Sequence, residues 1–151
     1  MRMTVEEQDA RVRAGVYDVT FSSGTPPTAR QLGDVLALSE PLVRESLERL
    51  AAGRALVLQR HSREVLMANP FSAVPTPFAV HASGGLFFGN CIWDALGIPA
   101  MLGTDARIQS SCACCGEAME LLVSDGALQP IDAMVHFAVP AHKWWQDIVY
   151  N

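Results

Sequence analysis

The residues best equipped for chemistry in this 151-residue chain are four cysteines and an aspartate beside one of them. Cys91 and Asp94 stand three apart at the start of an apolar stretch, a spacing that puts them on neighbouring positions of one helix face. A helix N-terminus favours the thiolate, which is both nucleophile and soft-metal ligand. Asp94 opposes that ionisation by like charge, but it brings a carboxyl group able to carry a proton. The alternative use of Cys91 is as a small buried hydrophobe, and of Asp94 as a capping residue. Cys112, Cys114 and Cys115 crowd into four positions followed by Gly116, and Cys112-x-x-Cys115-Gly116 lets two thiolates converge at a turn that glycine accepts. A structural zinc ion takes four protein ligands. No second C-x-x-C exists, so zinc here has to recruit Cys114, Cys91, a histidine or a partner chain. His61, His81, His136 and His142 show no ligand spacing to one another.

The elements that must position these groups follow from periodicity and punctuation. Phe78 to Val80 and Leu86 to Phe88 read as strands around the turn Ser83-Gly84-Gly85. Cys91 to Met101 carries helical spacing (Ile92, Ala95, Leu96, Ile98) and stops at Gly103. Ala106 to Ile108 and Met119 to Val123 are strands flanking the cysteine knuckle, Met134 to Val139 is predicted as a further strand, and Ala141 to Tyr150 as a terminal helix.

Upstream, weak helical periodicity to about Phe21 ends in Ser22-Ser23-Gly24-Thr25-Pro26-Pro27. Thr28 and Gln31 form a capping-box pair ahead of Leu32, Val35 and Leu36. Ser39 and Pro41 open a second helix that runs to Gly53. Residues 55–59 and 64–68 then read as a hairpin. Helix, turn, helix, hairpin is the order of a winged helix. Residues 28–70 hold six Arg against five acids, and the whole chain has a formal net charge of −5 with Lys143 as its single lysine, so nothing resembles a phosphate-binding footprint. DNA is therefore an unlikely partner, and a structural role for this half is expected. Prolines 70, 75 and 77 mark a linker between residues 1–70 and residues 71–151. The fold class is α+β: a helix-turn-helix or winged-helix-like half, then a small mixed-sheet thiol domain. An acidic start without a secretory pattern, and no apolar run near the roughly 20 residues that span a bilayer, point to the cytoplasm. Thiols stay reduced there, which favours catalytic or metal-binding use.

The run from Asn90 to Cys112 carries C-x-x-D, then Pro99-Ala100-x-x-Gly103, then Ala106-Arg107-Ile108, then Cys112. It resembles, in order and without gaps, the segment of the organomercurial (alkylmercury) lyases that holds a first active-site cysteine, an active-site aspartate and a later structural cysteine. The resemblance implies protonolysis of a carbon–mercury bond, with Cys91 as the mercury-binding thiolate and Asp94 as the proton carrier. Soft thiolate suits soft metal. It implies an organomercurial or other soft-metal small molecule as partner and no required cofactor, with zinc or mercury at Cys91, Cys112, Cys114 and Cys115 as candidate occupants. Phe87 and Trp93 are candidates to line a pocket for the organic group, core packing being the alternative for both. The family's second catalytic cysteine falls at Asn151 in this register, and Cys114 and Cys115, additional to the family pattern, are candidates to replace it. Two further readings stand beside the lyase: a non-catalytic mercury-, metal- or thiol-binding relative, and a winged-helix metal-responsive regulator. A homodimer is open.

Overall fold

A computed structural model describes residues 3–149. The first helix, α1 (Val5–Ser23), is better defined than its weak periodicity suggests, because Thr4 and Glu7 form a reciprocal capping box and Gly24 closes the other end at φ 83°. Helix α2 (Ala29–Leu36) starts at the predicted Thr28–Gln31 capping box. Helix α3 (Glu40–Ala52) has Pro41 in its first turn, but Ser39 makes no side-chain cap hydrogen bond, contrary to its predicted role. These helices close over Val12, Val16, Leu32, Val43 and Leu47, together with Leu56 and Val65 from the strands that follow. Those strands are β1 (Val57–Leu58), β2 (Val65–Ala68) and β3 (Phe71–Ser72), an antiparallel sheet in the order β1-β2-β3. The predicted hairpin is thus present in shortened form. The segment read as a linker contains β3, and Phe71 is completely buried.

The second sheet has the order β5-β4-β6-β7-β8, built from β4 (Ala79–Ala82), β5 (Gly85–Phe88), β6 (Ala106–Ser111), β7 (Ala118–Ser124) and β8 (Ala127–Leu128), with every pairing antiparallel. Side chains alternate across it, so Val80, Ala82, Phe87, Ile108, Leu121 and Val123 face inward. Helix α4 (Ile92–Leu102) covers that face with Ala95 and Ile98, and Gly103 ends it at φ 63°. Phe71 joins this second core, and Tyr17 of α1 packs against both cores.

Two predicted elements are absent. Residues Met134 to Val139 form no strand: they pair with neither edge of the sheet, and Met134 (92 % exposed) and Val135 (49 %) bury too little apolar surface to hold one in place. In place of the terminal helix there is a short 3-10 turn, Ala141–Gln146, held by the Trp144 indole donating to the Val139 carbonyl at 3.0 Å. Its two adjacent tryptophans are poor helix formers. Tyr150 and Asn151 lie outside the described residues. Among the described residues no helix is long and apolar enough to cross a membrane.

Candidate functional site

Strand β5 ends beside the helix that carries the candidate thiol, and the connection is short. Gly89 lies buried where a Cβ would stand 2.6 Å from the Ala95 nitrogen, so only glycine lets the chain pass so close to α4. Asn90 follows, and Cys91 is the N-cap residue of α4, with extended backbone angles of φ −147° and ψ −178°. The Cys91 sulfur makes no regular capping hydrogen bond, yet it senses the backbone amides of Asp94 and Trp93, which favour its anion. Burial outweighs them and pushes the Cys91 thiol up, and the Asp94 carboxylate adds to the rise. The lowered thiol expected from a helix N-terminus is therefore reversed by desolvation.

Asp94 is held in turn by its neighbours. Asn90 Nδ2 donates to Asp94 Oδ2 at 3.0 Å, and the neighbouring Cys91 thiol also favours the carboxylate's anion. Burial raises the Asp94 carboxyl above the usual carboxylate range, and these donors only partly offset it. Asn90 Nδ2 also reaches Asn69 Oδ1 at 3.1 Å, and Asn69 accepts from the Tyr17 hydroxyl through its carbonyl at 3.0 Å. A hydrogen-bonded run therefore connects α1, the end of the small sheet and the aspartate. Among the described residues, buried Asn90 Oδ1 has no hydrogen-bond partner.

Cys91, Asp94 and Trp93 line a cavity of about 340 Å³. Phe78, Phe137 and Trp144 supply much of its apolar wall, and His136 and Asn69 add polar atoms. Trp93 is 66 % exposed, so it is no core residue. Phe87, the other residue expected at the pocket, belongs to the core instead: it is 2 % exposed and packs on Phe71 with ring centroids 5.6 Å apart. Its place in β5, one register position from the exposed Leu86, turns it to the helix-covered face.

The knuckle thiols do not line this cavity. They sit at the tip of the β6–β7 hairpin, where the Gly116 amide donates to the Cys112 carbonyl at 2.8 Å, the Cys112 amide donates to the Glu117 carbonyl at 2.8 Å, and Gly116 adopts φ 74°. The neighbouring backbone amides of Cys115 and Cys114 favour the Cys112 anion and hold its thiol below the usual thiol range. Cys114 and Cys115 are exposed. Among the described residues no three Cys, His, Asp or Glu side chains converge as a metal cage, so the four-ligand zinc arrangement finds no support.

Sequence reasoning missed Asn90, Asn69 and His136. Asn90 was legible in principle, standing four residues before Asp94 on a predicted helix start. Asn69 and His136 were not, since they reach the site from distant segments.

A family model for alkylmercury lyase (MerB) matches residues 71–150. Among solved structures, one described as the mercury-bound form of MerB2 superposes with a TM-score of 0.62 at 24 % identity, covering 82 % of this chain and 59 % of that one, a likeness of fold. The chain thus spans about three-fifths of the length of that structure. No curated protein matches. With more than half of its residues inside the family model, the chain belongs to the alkylmercury lyase family.

Proposed function

We propose that this chain cleaves carbon–mercury bonds by protonolysis, with Cys91 as the mercury ligand and Asp94 as the proton carrier. The observation that carries this reading is the placement of Cys91 and Asp94, three residues apart at the start of α4, on one shared, apolar-walled cavity. An organomercurial R–Hg–X meets the pair with one proton between them. Cys91 sulfur displaces X⁻, its proton passes to Asp94, and a Cys91–S–Hg–R adduct results. The neutral Asp94 carboxyl then protonates the carbon as the Hg–C bond breaks, releasing R–H and leaving Hg(II) on the Cys91 sulfur. Burial assists both steps, because it disfavours two negative charges side by side and keeps the proton where the leaving carbon needs it. The indole and phenyl walls suit an alkyl or aryl group, and Hg(II) leaves with a second, small-molecule thiol.

A second reading, a thiol trap without catalysis, is favoured by one observation: Cys91 is the one thiol among the described residues lining the cavity. Release of hydrocarbon from an arylmercurial in excess small thiol separates the two. Cys91→Ser is expected to abolish release and to weaken mercury binding at this site. Asp94→Asn is expected to keep binding and to lower the rate by about 100- to 10,000-fold, the range for a positioned proton donor. An unchanged rate in Asp94→Asn, or no hydrocarbon from the wild type, sinks the lyase reading in favour of the trap. As for the regulator, Arg44 pairs with Glu40 and Glu64, Arg49 with Asp9, and Arg63 with Glu48, which supports a structural use of the α2–α3 half over phosphate binding.

A further inference from the structure

We propose that the tip of the β6–β7 hairpin is a second soft-metal site, separate from the Cys91 cavity, where the sulfurs of Cys112 and Cys115 together clasp one two-coordinate thiophilic cation such as mercuric ion. Three observations converge on it. The turn is rigidly specified, with the Gly116 amide on the Cys112 carbonyl and the Cys112 amide on the Glu117 carbonyl, both at 2.8 Å, and a left-handed Gly116. Cys112 and Cys115 stand three residues apart within this one closed turn, so the tip gathers both thiols on a short, fixed stretch of backbone. Cys115 is exposed and Cys112 half-buried, so an ion reaches them from solvent without opening the fold.

The ligand count selects the ion. Zinc and other cations that need four ligands lack partners, because no third Cys, His, Asp or Glu side chain converges there among the described residues. A soft cation satisfied by two thiolates needs no more. Binding is a ligand exchange without redox change: two bonds from mercury to its carrier ligands, chloride or small thiolate, break, two S–H bonds are lost, two protein S–Hg bonds form, and the two protons leave with the displaced ligands or go to solvent. Cys114, also exposed, is not required for a two-coordinate ion. The site does not depend on catalysis at Cys91.

The test uses the full-length Cys91→Ser protein, which removes the cavity thiol. It is loaded with mercuric chloride in excess small monothiol, passed over a desalting column, and analysed for bound mercury and for free thiols. The expected result is one retained mercury per chain, with two thiols protected from a thiol reagent. Cys91→Ser/Cys115→Ser, altered at an exposed position that leaves the hairpin backbone bonds intact, is expected to lose that ion, whereas Cys91→Ser/Cys114→Ser is expected to keep it. Loss of the ion in the Cys114 variant, retention in the Cys115 variant, no retained mercury in Cys91→Ser, or stoichiometric zinc uptake in place of mercury each overturns the proposal.

Discussion

At the scale of single residues, the chemistry rests on how Asn90 and burial divide control of Asp94. Burial lifts both Asp94 and Cys91, so a lyase of this design has a bell-shaped pH dependence belonging to the pair, with its acid limb above the usual carboxylate range and its alkaline limb above the usual thiol range. Asn90→Ala removes the 3.0 Å donor that partly offsets burial, so its acid limb is expected to move further up while the alkaline limb stays. An acid limb unmoved in a rate profile counts against Asn90 as a positioning residue. Stability carries the same signature. A carboxyl raised in the folded state stabilises fully below its unfolded value, and that contribution is lost as pH rises through the folded value. At neutral pH an ionised, half-buried Asp94 therefore costs stability. Asp94→Asn is expected to melt at a higher temperature than the wild type near pH 7, with the difference shrinking below the ordinary carboxylate range. A lower Tm at neutral pH refutes this account of the aspartate.

Helix α4 and the strand before it set the geometry at the next scale. Extended backbone at Cys91 starts α4 directly after β5, and the tight passage at Gly89 fixes how far the helix start stands from the sheet. Gly89→Ala puts a Cβ against the backbone of Ala95, which cannot give way as a flexible side chain does. The expected cost is about 1–3 kcal/mol in denaturant unfolding, typical of overpacking, together with reduced hydrocarbon release as Cys91 and Asp94 shift. Wild-type stability and rate in Gly89→Ala are incompatible with this role. The β6–β7 hairpin shows the opposite design: six consecutive paired positions, Ala106↔Val123 to Ser111↔Ala118, carry an exposed knuckle away from the helix-covered face.

Over the whole molecule, the two hydrophobic cores meet through aromatic rings. Phe71 lies 5.6 Å from both Phe21 and Phe87 and 6.4 Å from Tyr17 by ring centroids, so one side chain ties α1 to the second sheet. Gly24 adds a close approach, since a Cβ there would stand 2.5 Å from the Leu86 carbonyl oxygen. We propose that residues 1–70 and 71–151, though built on separate cores, unfold together. Phe71→Ala is expected to cost about 3–5 kcal/mol, the range for deleting a buried phenyl ring, and the wild type to melt in one transition. Two resolved transitions in calorimetry, with only one displaced in Phe71→Ala, contradict that coupling.

The sequence by itself determined what is encoded locally. Thr28 and Gln31 mark a helix start because a capping box closes within four residues, Gly103 marks a helix end because it accepts a left-handed backbone, and Cys91 stands beside Asp94 because a cap residue lies one turn before the third helical position. The alkylmercury lyase resemblance rests on the same short-range pattern. Tertiary structure alone decided what depends on partners distant in the chain. Met134 to Val139 has strand-like composition but pairs with no sheet edge, and it stays irregular while His136 and Phe137 fall at the cavity. Phe87 and Trp93, alike as aromatic candidates, part because sheet alternation buries the one and an exposed helix turn presents the other. The raised thiol at Cys91 was likewise beyond local reading, for a helix N-terminus is written in sequence, whereas desolvation is a sum over everything packed around it.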